Sequence, residues 1–303
     1  MVTPDANQSK VFGAGNPTYT YTNSPSLISP DVFTGALSRI SGEAVGTYAY
    51  TLGNLTAGNN YSLSQGGSNT FAITGINESI ADFRSKSPGG NFSLASTWEY
   101  DLGGNNFTDA SAAPSSTNNV SIVHDVTLNQ NFTVGSSKSL TIGTGGTLVV
   151  NPTRTLTITG TADFGGKSVT FQSNGTGTAS LGQVVPGGLT GASNVTVERF
   201  IPTNGFRSWR LLSVPTSGSQ TINAAWQEGN APLANGTPNY GTQITGPVAG
   251  NGLDAISPVA SMLSWNGTGF DGVASTSASI SNDQSYFLYI RGERTQGITG
   301  AIT

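Results

Sequence analysis

The sequence has no cysteine in its 303 residues and only one histidine, His124. The absence of cysteine excludes disulfide bonds, thiol catalysis and cysteine-ligated zinc. His124 lies in residues 122–126 (IVHDV), but there is no second histidine to share a metal, and the chain has no G-x-S-x-G nucleophile motif. We interpret His124 as a strand residue that is hydrogen-bonded to a neighbour, and we expect no metal site.

Charge is also scarce. Charged residues make up 9% of the chain, with 12 Lys and Arg against 16 Asp and Glu, for a formal net charge of −4. Proteins that grip nucleic acid through its phosphates need clustered cations. The nearest approach to a cluster is Arg199, Arg207 and Arg210, which we interpret as a local surface or salt-bridge patch. The composition argues against nucleic acid and anionic membranes as partners.

Long apolar runs are missing as well. No stretch approaches the ~18 residues that a membrane-spanning helix needs, so we expect no membrane insertion. The first residues, MVTPDANQSK, lack the apolar core of a signal peptide. We interpret them as an internal segment of a longer protein with an added methionine. A cysteine-free chain rich in Thr, Ser, Asn and Gly is typical of a bacterial secreted protein.

Helical periodicity is absent from almost the whole chain, and only residues 221–227 (TINAAWQ) suit a turn or two of helix. The patterned runs are short and rich in Tyr, Phe, Val, Ile and Thr, as strands prefer. The 41 glycines and 14 prolines fit many turns between them. A chain of this length suits two or three domains. The sequence predicts an all-β protein with three modules, at residues 1–76, 77–198 and 199–303.

Residues 139–171 hold the most regular pattern. Four runs share the order apolar, middle, apolar: 140–142 (LTI), 148–150 (LVV), 156–158 (LTI) and 169–171 (VTF). Because strand side chains alternate between two faces, the outer two residues of each run point the same way. The first three runs start eight residues apart. Repeated short strands at near-regular spacing are typical of a coiled or stacked β architecture.

Two functional alternatives apply to this series of repeated short strands, which we call the ladder. A β-helix lyase or hydrolase needs paired carboxylates, or a carboxylate with a basic residue, on adjacent turns, but Asp163 is the only carboxylate between residues 139 and 197. An ice- or glycan-binding face would use Thr141, Thr157 and Thr170, the middle residues of three runs. Val149 interrupts that row. We therefore interpret the threonines as solvent-facing strand residues.

The first module alternates strand-sized runs with turns, which favours a small β-sandwich or β-grasp-like domain. It carries KVFG at residues 10–13, NPTYTY at 16–21, DVFTGAL at 31–37 and GTY at 46–48. In these segments and their order it resembles the MBG domains of bacterial surface proteins. The resemblance implies a repeated extracellular spacer of adhesin-like chains, without catalytic residues.

The second module has FRS at residues 83–85, STWE at 96–99, a PSSTNN loop at 114–119 and ladder strands that end in VERF at 197–200. This layout resembles a module of large Bacteroidota surface proteins that the type IX system exports. The resemblance, with the ladder, implies a short right-handed β-helix or solenoid with Leu, Ile and Val stacked inside.

The third module contains RSWRLLSVP at residues 207–215, INAAWQEG at 222–229 and YFLYIRGER at 286–294. These segments resemble the module that often follows the β-helical part in the same surface proteins, and we expect a β-sandwich-like fold. Further strands follow in that family, so this module is expected to be incomplete or completed by another chain. An open sheet edge accepts a neighbour's strand readily.

Residues 267–272 (GTGFDG) match the dinucleotide motif G-x-G-x-x-G literally. A dinucleotide site requires a strand, the glycine loop and then a helix. The following residues, 273–280 (VASTSASI), do not form a helical pattern. We interpret the segment as a hairpin turn and expect no cofactor.

The sequence thus predicts a non-enzymatic, extracellular structural or adhesive segment of a large bacterial cell-surface or filament protein. Its expected partners are other modules or copies of the same surface protein and, as a further option, extracellular polysaccharide. One alternative is a carbohydrate-binding module of a secreted polysaccharide-active protein. That alternative requires exposed aromatic side chains, and the candidates for this contact are Trp98, Trp209, Trp226 and Trp265.

Two more alternatives stay open. One is a self-assembling fibre subunit that uses strand exchange at its open edge. The other is an enzyme, which would need a cleft that gathers several carboxylates. The nearest such group in the sequence is Glu99, Asp101 and Asp109.

Overall fold

The structure, a computed structural model, describes residues 1–202, 206–217, 220–229, 241–247, 250–280 and 284–291. Nearly all of its regular structure is β-strand, which confirms the predicted all-β class. Contacts divide the chain into a first unit, Met1–Gln172 with Thr178–Thr196, and a second unit, Ser173–Gly177 with Val197–Thr303. The division into three modules stays a prediction. The last three residues of the YFLYIRGER segment and the rest of the sequence after it lie outside the described residues.

The first 76 residues of the first unit form two small sheets. Their strands are β1 (Val2–Pro4), β2 (Ser9–Val11), β3 (Tyr21–Asn23), β4 (Ser38–Arg39), β5 (Gly46–Thr51) and β6 (Thr70–Thr74). β1 pairs with β3, and the second sheet has the order β2-β6-β5-β4, with β2 and β6 parallel. Tyr19, Tyr50 and Phe71 meet edge to face in the core, an arrangement that aromatic rings prefer.

A buried arginine organises the polar side of this core. Arg39 Nε donates to the Tyr19 hydroxyl, and its guanidinium lies 4.7 Å from the centre of the Tyr48 ring. The Glu43 carboxylate accepts hydrogen bonds from both Arg39 and Lys10. The hydrogen bond from Lys10 holds the pKa of Glu43 below its ordinary value, and the hydrogen bond from Arg39 lowers this pKa to a smaller extent. These charges are compensated within the domain, so the cluster serves packing.

From residue 83 the first unit continues as a three-sided solenoid. A hairpin of β9 and β10 and a 3-10 turn at Ala95–Thr97 lie at its N-terminal end. The strands between residues 83 and 197 are β7 (Phe83–Ser85), β8 (Gly89–Asn91), β9 (Trp98–Asp101), β10 (Phe107–Asp109), β11 (Val120–Ile122), β12 (Asp125–Leu128), β13 (Phe132–Val134), β14 (Ser139–Ile142), β15 (Thr147–Val150), β16 (Thr155–Ile158), β17 (Thr161–Asp163), β18 (Val169–Phe171), β19 (Ser173–Asn174), β20 (Gly177–Thr178), β21 (Ser180–Val184), β22 (Leu189–Thr190) and β23 (Val195–Val197). Of these, β19 belongs to the second unit.

The sides of the solenoid are three sheets of stacked parallel strands. The first runs β7-β11-β14-β17-β22, the second β8-β12-β15-β18-β23 and the third β13-β16-β21. Leu140 pairs with Val120, and Leu156 pairs with Phe132, so these turns take 20 and 24 residues. The last turn is longer, since Leu189 pairs with Ala162, 27 residues earlier. The eight-residue spacing in the sequence is therefore the step from one side to the next within a turn. This topology confirms the predicted solenoid, and its hand stays a prediction.

The interior of the solenoid is filled by the apolar residues of the alternating runs. The pattern in the sequence did not include β17, which lies between the runs that start at residues 156 and 169. The side chain of Ala162 in β17 is part of the buried interior. Thr141 lies on the first side, Val149 and Thr170 pair on the second, and Thr157 lies on the third. The middle residues therefore face three directions, so they cannot make the single flat face that an ice- or glycan-binding row requires.

Aromatic residues close the N-terminal end of the solenoid. β9 pairs antiparallel with β7 and ends the parallel stack on the first side. Trp98, at the start of β9, is fully buried, and its Nε1–H donates to the Phe92 carbonyl at 2.8 Å. The Phe92 ring packs against Phe132 with centroids 4.5 Å apart. Phe92 and Trp98 thus cover the first complete turn, as a capping repeat does in solenoid proteins.

The second unit is built on one antiparallel sheet. Its elements are β24 (Ser208–Ser213), helix α1 (Ile222–Trp226), β25 (Met262–Trp265), β26 (Phe270–Gly272) and β27 (Ser285–Ile290), and the sheet order is β24-β27-β25-β26. α1 is the short helix that the sequence predicts, and the Thr221 hydroxyl caps it by accepting from the Ala224 N–H. Residues 267–272 form the β25–β26 hairpin, as predicted.

One carboxylate in the first unit links folding to pH. Burial alone would raise the pKa of Glu78, but hydrogen bonds from the Ser111 hydroxyl and from the N–H groups of Ala112 and Ser111 outweigh it and hold the pKa below the ordinary 4.5. A depressed folded-state pKa contributes stability above the unfolded-state value, and this stability is lost as the pH falls through the folded-state value.

We therefore expect Glu78→Gln to lower the thermal midpoint at pH 7 and to lower it less at pH 3, because the contribution of the wild-type carboxylate decreases as the pH falls toward its depressed folded-state pKa. The loss at pH 7 should stay below about 1 kcal/mol, because the group is only half-buried. Thermal unfolding at both pH values measures it, with the exposed Asp31→Asn as the control. An equal loss at pH 3 and pH 7 would contradict the linkage.

Candidate functional site

The sheet of the second unit leaves one face open to solvent. Alternation along the strands sends Leu212, Met262, Tyr286, Leu288 and Ile290 toward the apolar core of the unit. The other face carries apolar residues too, and we call them the aromatic face: Trp209, Leu211, Leu263, Trp265, Phe270, Phe287 and Tyr289.

The rings of the aromatic face form one continuous row across the four strands. Tyr289 on β27 lies 5.2 Å from Trp209 on β24, and Trp209 lies 6.4 Å from Phe287, centroid to centroid. Phe287 contacts Phe270 at 4.6 Å, and Phe270 contacts Trp265 at 5.0 Å. Most of these contacts are edge to face, so the rings hold one another in fixed orientations.

Much of this apolar surface is accessible. Trp209 is 42% exposed, Trp265 43% and Leu211 59%. No outward position of the four strands carries a charged residue. Single exposed apolar residues are ordinary on a protein surface, but a contiguous apolar patch marks an interaction site.

Two arginines stand at one end of the row. The Arg291 guanidinium lies 5.0 Å from the centre of the Tyr289 ring. β24 pairs with β27 up to Ser208 and Ile290, so the same register continued by one residue sets Arg207 opposite Arg291. Burial, together with the Arg207 charge, lowers the pKa of Arg291, although the Tyr289 hydroxyl acts in the opposite direction. Cations over an aromatic face are attracted to it, so Arg291 is held at this end of the row.

The four tryptophans predicted as contact residues separate into two groups. Trp209 and Trp265 belong to the aromatic face. Trp98 is in the core of the first unit, where no ligand reaches it, so the prediction is corrected at this position. Trp226 ends α1, and its half-buried ring packs edge to face on Tyr286 inside the second unit. Residue type alone did not distinguish the exposed tryptophans from the buried ones, because burial depends on which face of a strand or helix a residue occupies.

Three rings of the row, Phe270, Phe287 and Tyr289, were not among the predicted contact residues. The signal was present in residues 285–290 (SYFLYI), because strict alternation places Phe287 and Tyr289 on one face and Tyr286 and Leu288 on the other. Both faces are apolar, however, so alternation could not show which of them is buried. Phe270 had no signal beyond its place in the hairpin.

The carboxylates proposed for an enzyme are all engaged in local structure. Glu99 pairs with Arg84, and Asp109 pairs with Lys86. The Asp101 carboxylate accepts from backbone N–H groups of its own turn. Among the described residues, no group of three or more His, Asp or Glu side chains is placed to hold a metal ion.

His124 sits at the corner between β11 and β12. Its Nδ1 lies 2.9 Å from the Ser85 carbonyl oxygen, and its backbone N–H donates to the Ser85 hydroxyl. The predicted hydrogen bond to a neighbour is therefore present, although the residue is at a corner and not within a strand. Its role is to join two turns of the solenoid.

The fold defines the chain first as an all-β protein with a β-solenoid. Residues 1–72 match the family model of the MBG domain (YGX type), in agreement with the resemblance of the first module. No curated protein and no solved structure matches the chain. The MBG domain is a non-catalytic module and indicates a segment of an extracellular surface protein. Within the described residues, no helix has the length and apolar character to cross a membrane.

Proposed function

We propose that the chain is a non-enzymatic segment of a large bacterial cell-surface protein, in which the solenoid is a stiff spacer and the aromatic face makes an adhesive contact. We further propose that this parent protein is one of the type IX-exported surface proteins of Bacteroidota, and the resemblance of the second and third modules supports this. The observation that carries the proposal is the aromatic face itself, a row of five exposed or half-buried rings without charge. Interface centres are enriched in aromatic residues and depleted of charge.

The spacer role follows from how the solenoid is held together. Each turn pairs with the next through parallel strands on three sides, so cohesion is spread over many backbone hydrogen bonds. Polar side chains also join adjacent turns, as Thr147 does with Asp125 and Thr155 with Ser180. A repeat of this kind resists bending, and its interior is filled by buried apolar side chains.

The proposal predicts that the double variant Trp209→Ser, Trp265→Ser loses adhesion. Beads coated with the purified chain are allowed to settle on an immobilised biofilm matrix of bacterial polysaccharide and protein, and bound beads are counted under flow. Truncated aromatic hot spots cost more than about 1 kcal/mol each, so apparent affinity should fall by about thirtyfold.

The matched control is Ile28→Ser with Val32→Ser, which removes two apolar side chains that are 75% and 67% exposed in the first unit. Adhesion of the control should equal that of the wild type. If the double tryptophan variant also adheres like the wild type, the aromatic face is not the contact.

Strand exchange into fibres is a second candidate, and the edge of the sheet favours it. β24 pairs only with β27 among the described residues, which leaves its other edge available for a further strand. Electron microscopy of the purified chain over a range of concentrations tests this function. Regular filaments would support it, and a monomer at every concentration would exclude it.

A further inference from the structure

Arg291 is the least expected side chain at the aromatic face. It is only 9% exposed, and its Nε has no hydrogen-bond partner among the residues that the structure describes. Buried guanidinium groups normally have several acceptors, because an unsatisfied charged donor loses its hydration without compensation. None of the ion pairs of the described residues includes Arg291. The guanidinium is thus held over Tyr289 with its Nε–H donor unsatisfied by the described residues.

The neighbourhood of Arg291 adds positive charge. If the pairing of β24 with β27 is continued by one residue, Arg207 lies opposite Arg291. Because strand side chains alternate, the two arginines are on the same side of the sheet as Trp209 and Tyr289. The Arg207 charge disfavours the protonated form of Arg291 at this partly desolvated position. Perturbed charges cluster at functional sites. The chemistry indicates an anion whose oxygens match a planar guanidinium, and a carboxylate does so.

The rest of the row indicates what carries that carboxylate. The rings cross from β24 to β26 over three strand spacings, a distance of about 14 Å. A linear chain of sugar rings can lie along such a row with its C–H faces against the exposed indoles of Trp209 and Trp265. A stable protein partner needs roughly 20–30 residues on each side of the interface, far more than the aromatic face offers. The size of the patch favours a polysaccharide over an acidic protein.

We propose that the aromatic face binds a polysaccharide that contains uronic acid, with a sugar carboxylate on Arg291 and the neighbouring pyranose rings over Trp209 and Trp265. This inference rests on the proposed function and names its partner. Charge supplies the discrimination, because a neutral glucan offers Arg291 hydroxyl acceptors but no carboxylate to pair with the guanidinium. The aromatic row supplies contact area that does not depend on salt.

The test is isothermal titration of the full chain with three hexasaccharides or peptides of matched length: oligogalacturonate, cellohexaose and hexaglutamate. We expect oligogalacturonate to bind at least about tenfold tighter than either of the others, since only it offers both carboxylates and sugar rings. Raising the salt concentration should weaken oligogalacturonate binding without abolishing it. Equal binding of hexaglutamate would show a merely electrostatic site and overturn the proposal, and so would equal binding of cellohexaose.

Variants sharpen the test. Arg291→Gln should lose about tenfold to a hundredfold in oligogalacturonate affinity, and Arg291→Lys should recover only part of it, because a lysine cannot make the bidentate contact. Arg154→Gln, which removes an exposed arginine of the solenoid, should bind like the wild type. An unchanged affinity in Arg291→Gln would overturn the assignment of this residue.

Stability provides an independent readout. Because Arg291 has a buried donor without a partner, Arg291→Gln should unfold at the same temperature as the wild type or higher. If Arg291→Gln instead unfolds at a lower temperature than the wild type, the binding measurement is made with Trp209→Ala and Arg291→Lys in its place. Loss of bead adhesion in the double tryptophan variant without any uronate binding would overturn this inference alone and leave the contact role of the aromatic face standing.

Discussion

Trp98→Ala is expected to lower the free energy of unfolding of the first unit by about 3–5 kcal/mol, the range for a fully buried tryptophan. The substitution removes the indole from the N-terminal end of the solenoid core and leaves a cavity beside Phe92. It also leaves the Phe92 carbonyl without the Nε1–H that it accepts in the wild type. The exposed turn should then fray, since the end repeats of a solenoid depend on their caps.

Chemical denaturation followed by circular dichroism measures this loss. The matched control is Trp209→Ala, which removes the same atoms from an exposed position of the second unit and should cost about 1 kcal/mol or less. Trp98→Phe should lie between the two, because it restores most of the volume but not the N–H donor. If Trp98→Ala and Trp209→Ala lose equal stability, the end of the solenoid core does not depend on Trp98.

Side-chain alternation was sufficient to predict the strands of the solenoid, because the inner positions hold apolar residues at nearly every step. Alternation is a property of a single strand, however, and it does not show which strands pair with one another. The three runs at 140, 148 and 156 look like repeats of one strand, yet they belong to three different sheets. Only the pairing of Leu140 with Val120 and of Leu156 with Phe132 shows the true repeat.

The candidate site was harder to predict for a different reason. A two-faced apolar strand such as residues 285–290 is compatible with either face being buried. Trp209 and Trp265 were predicted from residue type, and the row of rings that joins them depends on the antiparallel register of four strands. Nothing in the sequence identified Arg291 as a site residue, because an arginine at the end of a strand is ordinarily exposed to solvent.

The two halves of the proposed function therefore rest on different kinds of residue. The spacer depends on apolar and glycine positions that recur at each turn, so it can be tested by stability alone. The contact depends on a few rings and one arginine whose removal leaves the core intact. Variants of the first kind should change unfolding, and variants of the second kind should change binding with little change in unfolding.

The corner between the third and first sides of the solenoid offers the sharpest test of the stacked turns. Gly160 lies at this corner, and a Cβ placed there would come closer than 3.0 Å to the carbonyl oxygens of both Lys138 and Gly135 in the turn below. Neither carbonyl can move freely, because Lys138 O accepts from the Thr161 N–H and Gly135 O accepts from the Lys138 N–H. Only glycine permits the turns to approach this closely.

Gly160→Ala is therefore expected to destabilise the first unit by about 3 kcal/mol, the upper end of the usual overpacking penalty. This loss corresponds to a fall of roughly 6–12 °C in the thermal midpoint of a unit of this size. Gly15→Ala is the control, since a Cβ at Gly15 meets no atom within 4 Å. Reduced freedom of the unfolded chain should leave the control neutral or more stable by up to about 1 kcal/mol. If the two variants unfold at the same temperature, the turns of the solenoid do not pack against one another at this corner as described.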